Sequence, residues 1–288
     1  MTKRSHGRAV KLAVAILAAT AASALAAAAA SATEIVYNDR PATLPGNFAS
    51  LGYECCQVSQ FGGQVGFPAK TARRNPTVEV VMSSWACQQG GAEDNTCKKT
   101  SAAKFKEEVT LNIYEAVGNM VGAKVGSQTR TFEMPYRPSA SPKCTTGAGK
   151  GGWYDTAEAR CYHGKAFPII FKLTGVDALP APKNVFVLPE SNAIVSLAYN
   201  TSDYGAKPQR PQPCNSEPQG CPYDSLNVAV TQPPATPPSV GTWPEKEEVF
   251  IASTYSALFC APATASGNFE PSGKCWNEEQ PVIKVKAT

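Results

Sequence analysis

Thr77-Val78-Glu79-Val80-Val81-Met82 sets Val78, Val80 and Met82 on one side of an extended chain and Thr77 and Glu79 on the other, with Val81 breaking the alternation. Val109, Leu111 and Ile113 repeat the pattern against Thr110, Asn112 and Tyr114. A period of two belongs to a strand, because a helix would space its apolar residues three and four apart. Shorter segments of the same kind recur at 166–174, 184–188, 193–201, 225–231, 247–254 and 282–287, bounded by Gly, Pro and Asn. Residues 101–108 are the best candidate for a short helix, and they run straight into the strand at Val109.

About ten to twelve short strands with turn-rich connections predict an all-β fold, an antiparallel β-sandwich of jelly-roll type with disulfide-stapled loops. Connections of very unequal length argue against an up-and-down barrel. We expect one domain over residues 33–288; the alternative is two smaller sandwiches divided near 180–183. The proline-rich segments 206–222 and 232–244 read as surface loops, since strand-like sequence resumes after each.

The N-terminus carries Lys3, Arg4, Arg8 and Lys11 ahead of an alanine-rich apolar run at 12–30, then Ala30-Ser31-Ala32. This pattern predicts a secretory signal peptide over residues 1–32, cleaved before Thr33; the competing reading is a retained membrane anchor. The four cations of the leader account for the whole formal net charge of +4. The remainder is neutral, which removes the electrostatic argument for nucleic acid or an anionic membrane as partner. No later apolar run approaches the length of a membrane span.

Ten cysteines follow the leader. Eight fall into close pairs, Cys87 with Cys97, Cys144 with Cys161, Cys214 with Cys221 and Cys260 with Cys275, each bracketing a polar or glycine-rich segment suited to a loop. Sequence alone does not fix connectivity, but nearest-neighbour bridges are expected, each stabilising by ~2 to 4 kcal/mol. Cys55 and Cys56 are left to each other as a vicinal disulfide, or to other chains as thiols. A zinc site fits poorly, because there is no C-x-x-C unit and His163 is the sole histidine after the leader.

The same shortage weakens nucleophilic catalysis, and nothing like a nucleophile elbow appears, so no catalytic residue is assigned. Glu93, Asp94, Asp155, Glu158, Asp203 and Asp224 are carboxylates in loops, but no spacing singles out a glycosidase pair. With backbone carbonyls they could hold calcium, although no EF-hand pattern is present. Tyr136, Trp153, Tyr154, Tyr162, Tyr204, Tyr223 and Trp243 fall in or beside loops, where aromatic faces stack on sugars or on partner side chains. Trp153, Tyr154 and Asp155, with Tyr204 and Tyr223, are the candidate ligand-binding residues. Trp85 and Trp276, each near a cysteine, are expected to pack on disulfides.

The segments TVEVVMSSWACQ (77–88), VTLNIYE (109–115), TFEMPYRPSA (131–140), GGWYD (151–155), AYNTSDYG (198–205) and DSLNVAV (224–230) together resemble an uncharacterised family of secreted, β-rich bacterial proteins of high-GC Gram-positive type. The resemblance implies export and a β fold. That family has no assigned active residues, so none is carried over, and Cys55-Cys56 and the Cys214 to Cys221 segment depart from its pattern. The expected function is an extracellular binding or cell-envelope-associated module with carbohydrate as ligand. The rivals are a carboxylate-dependent glycan hydrolase or lyase, and a purely structural surface protein.

Overall fold

Val78, Val80 and Met82 point into the interior of the molecule and are essentially inaccessible to solvent, as the alternation around them requires. The computed structural model describes residues 32–53, 56–90, 96–199 and 226–288. Among these residues the chain forms fourteen strands: β1 (Glu34–Asn38), β2 (Ala49–Gly52), β3 (Val58–Gly66), β4 (Thr77–Ser84), β5 (Lys104–Val117), β6 (Met120–Pro135), β7 (Trp153–Asp155), β8 (Arg160–Tyr162), β9 (Lys165–Lys172), β10 (Asn192–Tyr199), β11 (Leu226–Val230), β12 (Phe250–Ser253), β13 (Phe269–Pro271) and β14 (Ile283–Ala287). Only short 3-10 turns interrupt them among the described residues, at Gly147–Gly149, Gly175–Asp177 and Ser256–Leu258.

Two six-stranded antiparallel sheets face each other. One is built on β4. Its whole length pairs with β9 on one edge, while β14 and β11 lie end to end along the other, against Thr77 to Val80 and Met82 to Ser84 respectively. β14 pairs outward with β1, and β11 with β2. The second sheet runs β13-β12-β3-β10-β5-β6. Val78, Phe171, Val228 and Val285 from the first sheet and Phe61, Leu111, Val195 and Ile251 from the second belong to one continuous apolar core. Burying each such side chain contributes about 1.5 to 3 kcal/mol, so this layer dominates the stability of the sandwich. Residues 32–288 form one compact unit.

Beside β9, the free edge of the first sheet is covered by side chains from β6. Arg130 Nη1 donates to Ile170 O (2.9 Å), and Gln128 Nε2 to Lys172 O (2.9 Å). These bonds occupy carbonyls that would otherwise template another strand.

Two expectations are corrected. Residues 104–108 are strand, the beginning of β5, because Phe105 and Glu107 alternate inward with Val109 and tertiary packing overrides local helix preference. Residues 184–188 form no strand; the segment is held by one bridge between Val187 and Arg74, with Phe186 and Leu188 buried beneath it. Phe186 fills the space that a side chain at Gly126 of β6 would need. Gly126→Ala is therefore expected to destabilise by about 2 kcal/mol through overpacking, read as a lowered urea midpoint with unchanged m-value.

Three nearest-neighbour disulfides form among the described residues: Cys87–Cys97, Cys144–Cys161 and Cys260–Cys275, with Cα separations of 5.3, 5.8 and 6.0 Å. The leader, Cys55, and the Cys214 and Cys221 pair lie outside the described residues. Cys56 is half-buried against the core, and its carbonyl accepts from Ser253 Oγ (2.7 Å).

Candidate functional site

The short hairpin β7-β8 stands beside the first sheet and forms one wall of the main cleft. Cross-strand pairing sets Trp153 opposite Tyr162, Tyr154 opposite Cys161 and Asp155 opposite Arg160. Strand alternation thus puts Arg160 and Tyr162 on one face and Cys161 on the other, where it is bridged to Cys144. Asp155 builds the tight turn between the strands, its Oδ1 accepting from the backbone N–H of Ala157 (2.8 Å) and Glu158 (3.3 Å). Fully buried Arg137 anchors the approach to the hairpin by donating from Nη2 to Gly151 O (3.0 Å).

Between this hairpin, the segment after β1 and the proline-rich loop after β11 lies an open groove of about 1480 Å³. Half-buried Tyr154, Tyr162, Trp85 and His163 reach it, among amide side chains such as Asn38, Asn47 and Gln232. Trp85 stacks on His163, ring centroids 5.5 Å apart and nearly parallel. The Trp85 indole N–H donates to Ser83 Oγ (3.1 Å), which donates to Asn47 Oδ1 (2.6 Å). His163 Nε2 lies 3.1 Å from Ala148 O. Trp276, next to Cys275, tilts against Phe61 at 5.6 Å.

The carboxylates of the groove are committed to internal partners. Glu158 accepts from the Gly46 backbone N–H at Oε1 (3.0 Å) and from the Tyr162 hydroxyl at Oε2. Burial, then that hydrogen bond and the charge of Glu158, push the Tyr162 hydroxyl up to about 12. Asp39 Oδ2 accepts from the Tyr37 hydroxyl (2.8 Å) and the Trp243 indole (3.2 Å), and Oδ1 from the Ile283 N–H (2.6 Å). Burial raises the Asp39 carboxyl to about 7 against the opposing pull of these donors. Arg40 pairs with Glu79 at 3.0 Å.

Of the residues singled out in the sequence, Tyr154 lines the groove, whereas Asp155 is spent on its own turn. Trp153 is corrected: it is buried, its indole N–H bonded to Gly164 O (2.7 Å), so it supports the hairpin and offers no stacking face. Tyr136 is likewise buried, packed on Phe105, and Trp243 is drawn under Asp39. Tyr204, Tyr223, Glu93, Asp94, Asp203 and Asp224 lie outside the described residues. Among the described residues no three His, Cys, Asp or Glu side chains converge as a metal ligand set would. Asp39, Trp85, Lys143 and Arg160 were not singled out as site residues; only their position in the fold brings them to the groove.

The chain matches no protein-family model, no curated protein and no solved structure, so the site is read from its own residues.

Proposed function

We propose that this is a secreted binding module of the cell exterior, taking a carbohydrate in the groove beside the β7-β8 hairpin. The observation that carries the reading is the groove itself, with Trp85, Tyr154 and Tyr162 on its walls among amide side chains. Rings and amides in one open cleft are the chemistry that recognises sugars, through stacking and through directed hydrogen bonds. Three disulfides agree with an oxidising compartment and with the leader-like N-terminus. Among the described residues no helix is long and apolar enough to cross a membrane.

Affinity electrophoresis through gels carrying soluble glycans, with pull-down on insoluble cell-wall polysaccharide, tests the reading. Trp85→Ala and Tyr154→Ala should each weaken retention about tenfold, the value of one lost ring contact of roughly 1.4 kcal/mol. Their melting temperatures report whether the fold survives. Retention unchanged in both folded variants would count against the groove as the binding surface.

A further inference from the structure

We infer that the ligand of this groove is an anionic glycan, bearing carboxylate or phosphate, rather than a neutral one; the inference rests on the groove being the binding site. Four basic side chains line it, Arg40, Lys143, Arg160 and Lys284, against two acidic ones, Asp39 and Glu158. Both acids already accept hydrogen bonds from within the protein. Glu158 has each oxygen bonded, and Asp39 is enclosed by three donors. Arg40 is balanced by Glu79, which is not part of the lining. Lys143, Arg160 and Lys284 outnumber the exposed Glu158, and so set a positive sign for the field in the groove.

Two of these cations are also held in place. Lys143 Nζ sits 4.5 Å from the centre of the Tyr154 ring, and the Arg160 guanidinium 5.3 Å from that of Tyr162. A cation over a ring closes that face to a neutral sugar and leaves the ammonium or guanidinium N–H groups directed at whatever enters. Ordering the two long side chains in advance lowers the entropy a ligand must offset on binding. The rings that the loop positions suggested as stacking platforms thus act at least partly as supports for charge.

The test is titration calorimetry of the full chain with polygalacturonate, a poly(glycerol phosphate) and dextran, at about 50 and 500 mM NaCl. We expect binding of one or both anionic polymers with no binding of dextran, and affinity at least tenfold weaker at the higher salt. Lys143→Ala with Arg160→Ala should weaken binding at least tenfold, and Lys143→Arg should restore part of it. Lys124→Ala is the control, because Lys124 also covers a ring, Tyr114 at 5.4 Å, but outside the groove. Comparison of the two anionic polymers separates carboxylate from phosphate. Salt-insensitive binding of dextran in the groove would overturn the anionic class and leave the binding function standing. Binding lost equally in the Lys124 variant would overturn it as unspecific charge attraction, and no binding to any polymer would remove both readings.

Discussion

The free energy of unfolding should fall as pH rises from about 4 to 8, and Asp39→Asn should remove most of that slope. Asp39 has an ordinary carboxyl value of 3.8 when unfolded and about 7 when folded, raised by burial. The folded state holds the proton more tightly, so the stabilising contribution is fully present below the unfolded value and is lost as pH rises through the folded one. A shift of this size corresponds to on the order of 4 kcal/mol across the window. Glu279, also raised by burial, acts in the same direction, whereas Glu278, lowered chiefly by its hydrogen bond from Lys246, acts in the opposite one. In the variant, the amide oxygen can keep the Ile283 N–H, but its NH₂ meets the Trp243 indole N–H, which cannot accept. Asp39→Asn should therefore be less stable than wild type at pH 5, by about 1 to 3 kcal/mol, with the two curves converging near pH 8. Urea unfolding at several pH values decides it; parallel curves would refute the assignment.

Glu248→Ala should cost roughly 3 to 5 kcal/mol, and Glu248→Gln only about 1. Glu248 is almost wholly buried, and a single oxygen, Oε1, accepts from Ser272 Oγ (3.1 Å), Gly273 N–H (2.6 Å) and Lys274 N–H (3.3 Å). It pins the segment between β13 and Cys275 to the chain entering β12. Alanine would leave three donors facing a hole, whereas glutamine still presents an oxygen to all three and forfeits only the charge. The Cys260–Cys275 bridge holds the loop covalently in every variant, so the difference reports the hydrogen bonds. Equal losses in the two variants would show that the charge, and not the acceptor, matters. Fluorescence of Trp276, whose backbone N–H bonds to Glu247 O (3.1 Å), gives a local readout.

Strands whose apolar face is filled by Val, Ile, Leu and Phe were legible: β4, the middle of β5, β9, β10 and β14. β3 was not, because its Gly62, Gly63 and Gly66 carry no side chain to mark a face. Gly62 is glycine because a Cβ there would sit 2.5 Å from Ser196 Cβ on β10. β6 was missed for a different reason: it is an edge strand whose Lys124, Gln128 and Arg130 face solvent or the neighbouring sheet, so no apolar alternation arises. At the site, Tyr154 was legible from its place between two cysteines. The roles of Lys143 and Arg160 were not, since a cation above a ring is defined by the hairpin that brings them together. Trp153 misled because an aromatic that follows two glycines looks like a loop residue, and here the hairpin folds it inward.

The pairing of β1 with β14 carries a consequence for time. Glu34 meets Ala287 and Asn38 meets Lys284, so strands separated by most of the chain share a ladder, and β14 also supplies half of one edge of β4. A nascent chain must leave β1, and the edge of β4 from Thr77 to Val80 that faces away from β9, unpaired until residues 283–287 emerge, and loop closure across that span precedes any reward from those contacts. Completion of the first sheet is thus a late event that waits on its most distant pairing, whereas local hairpins such as β5-β6 need no such wait.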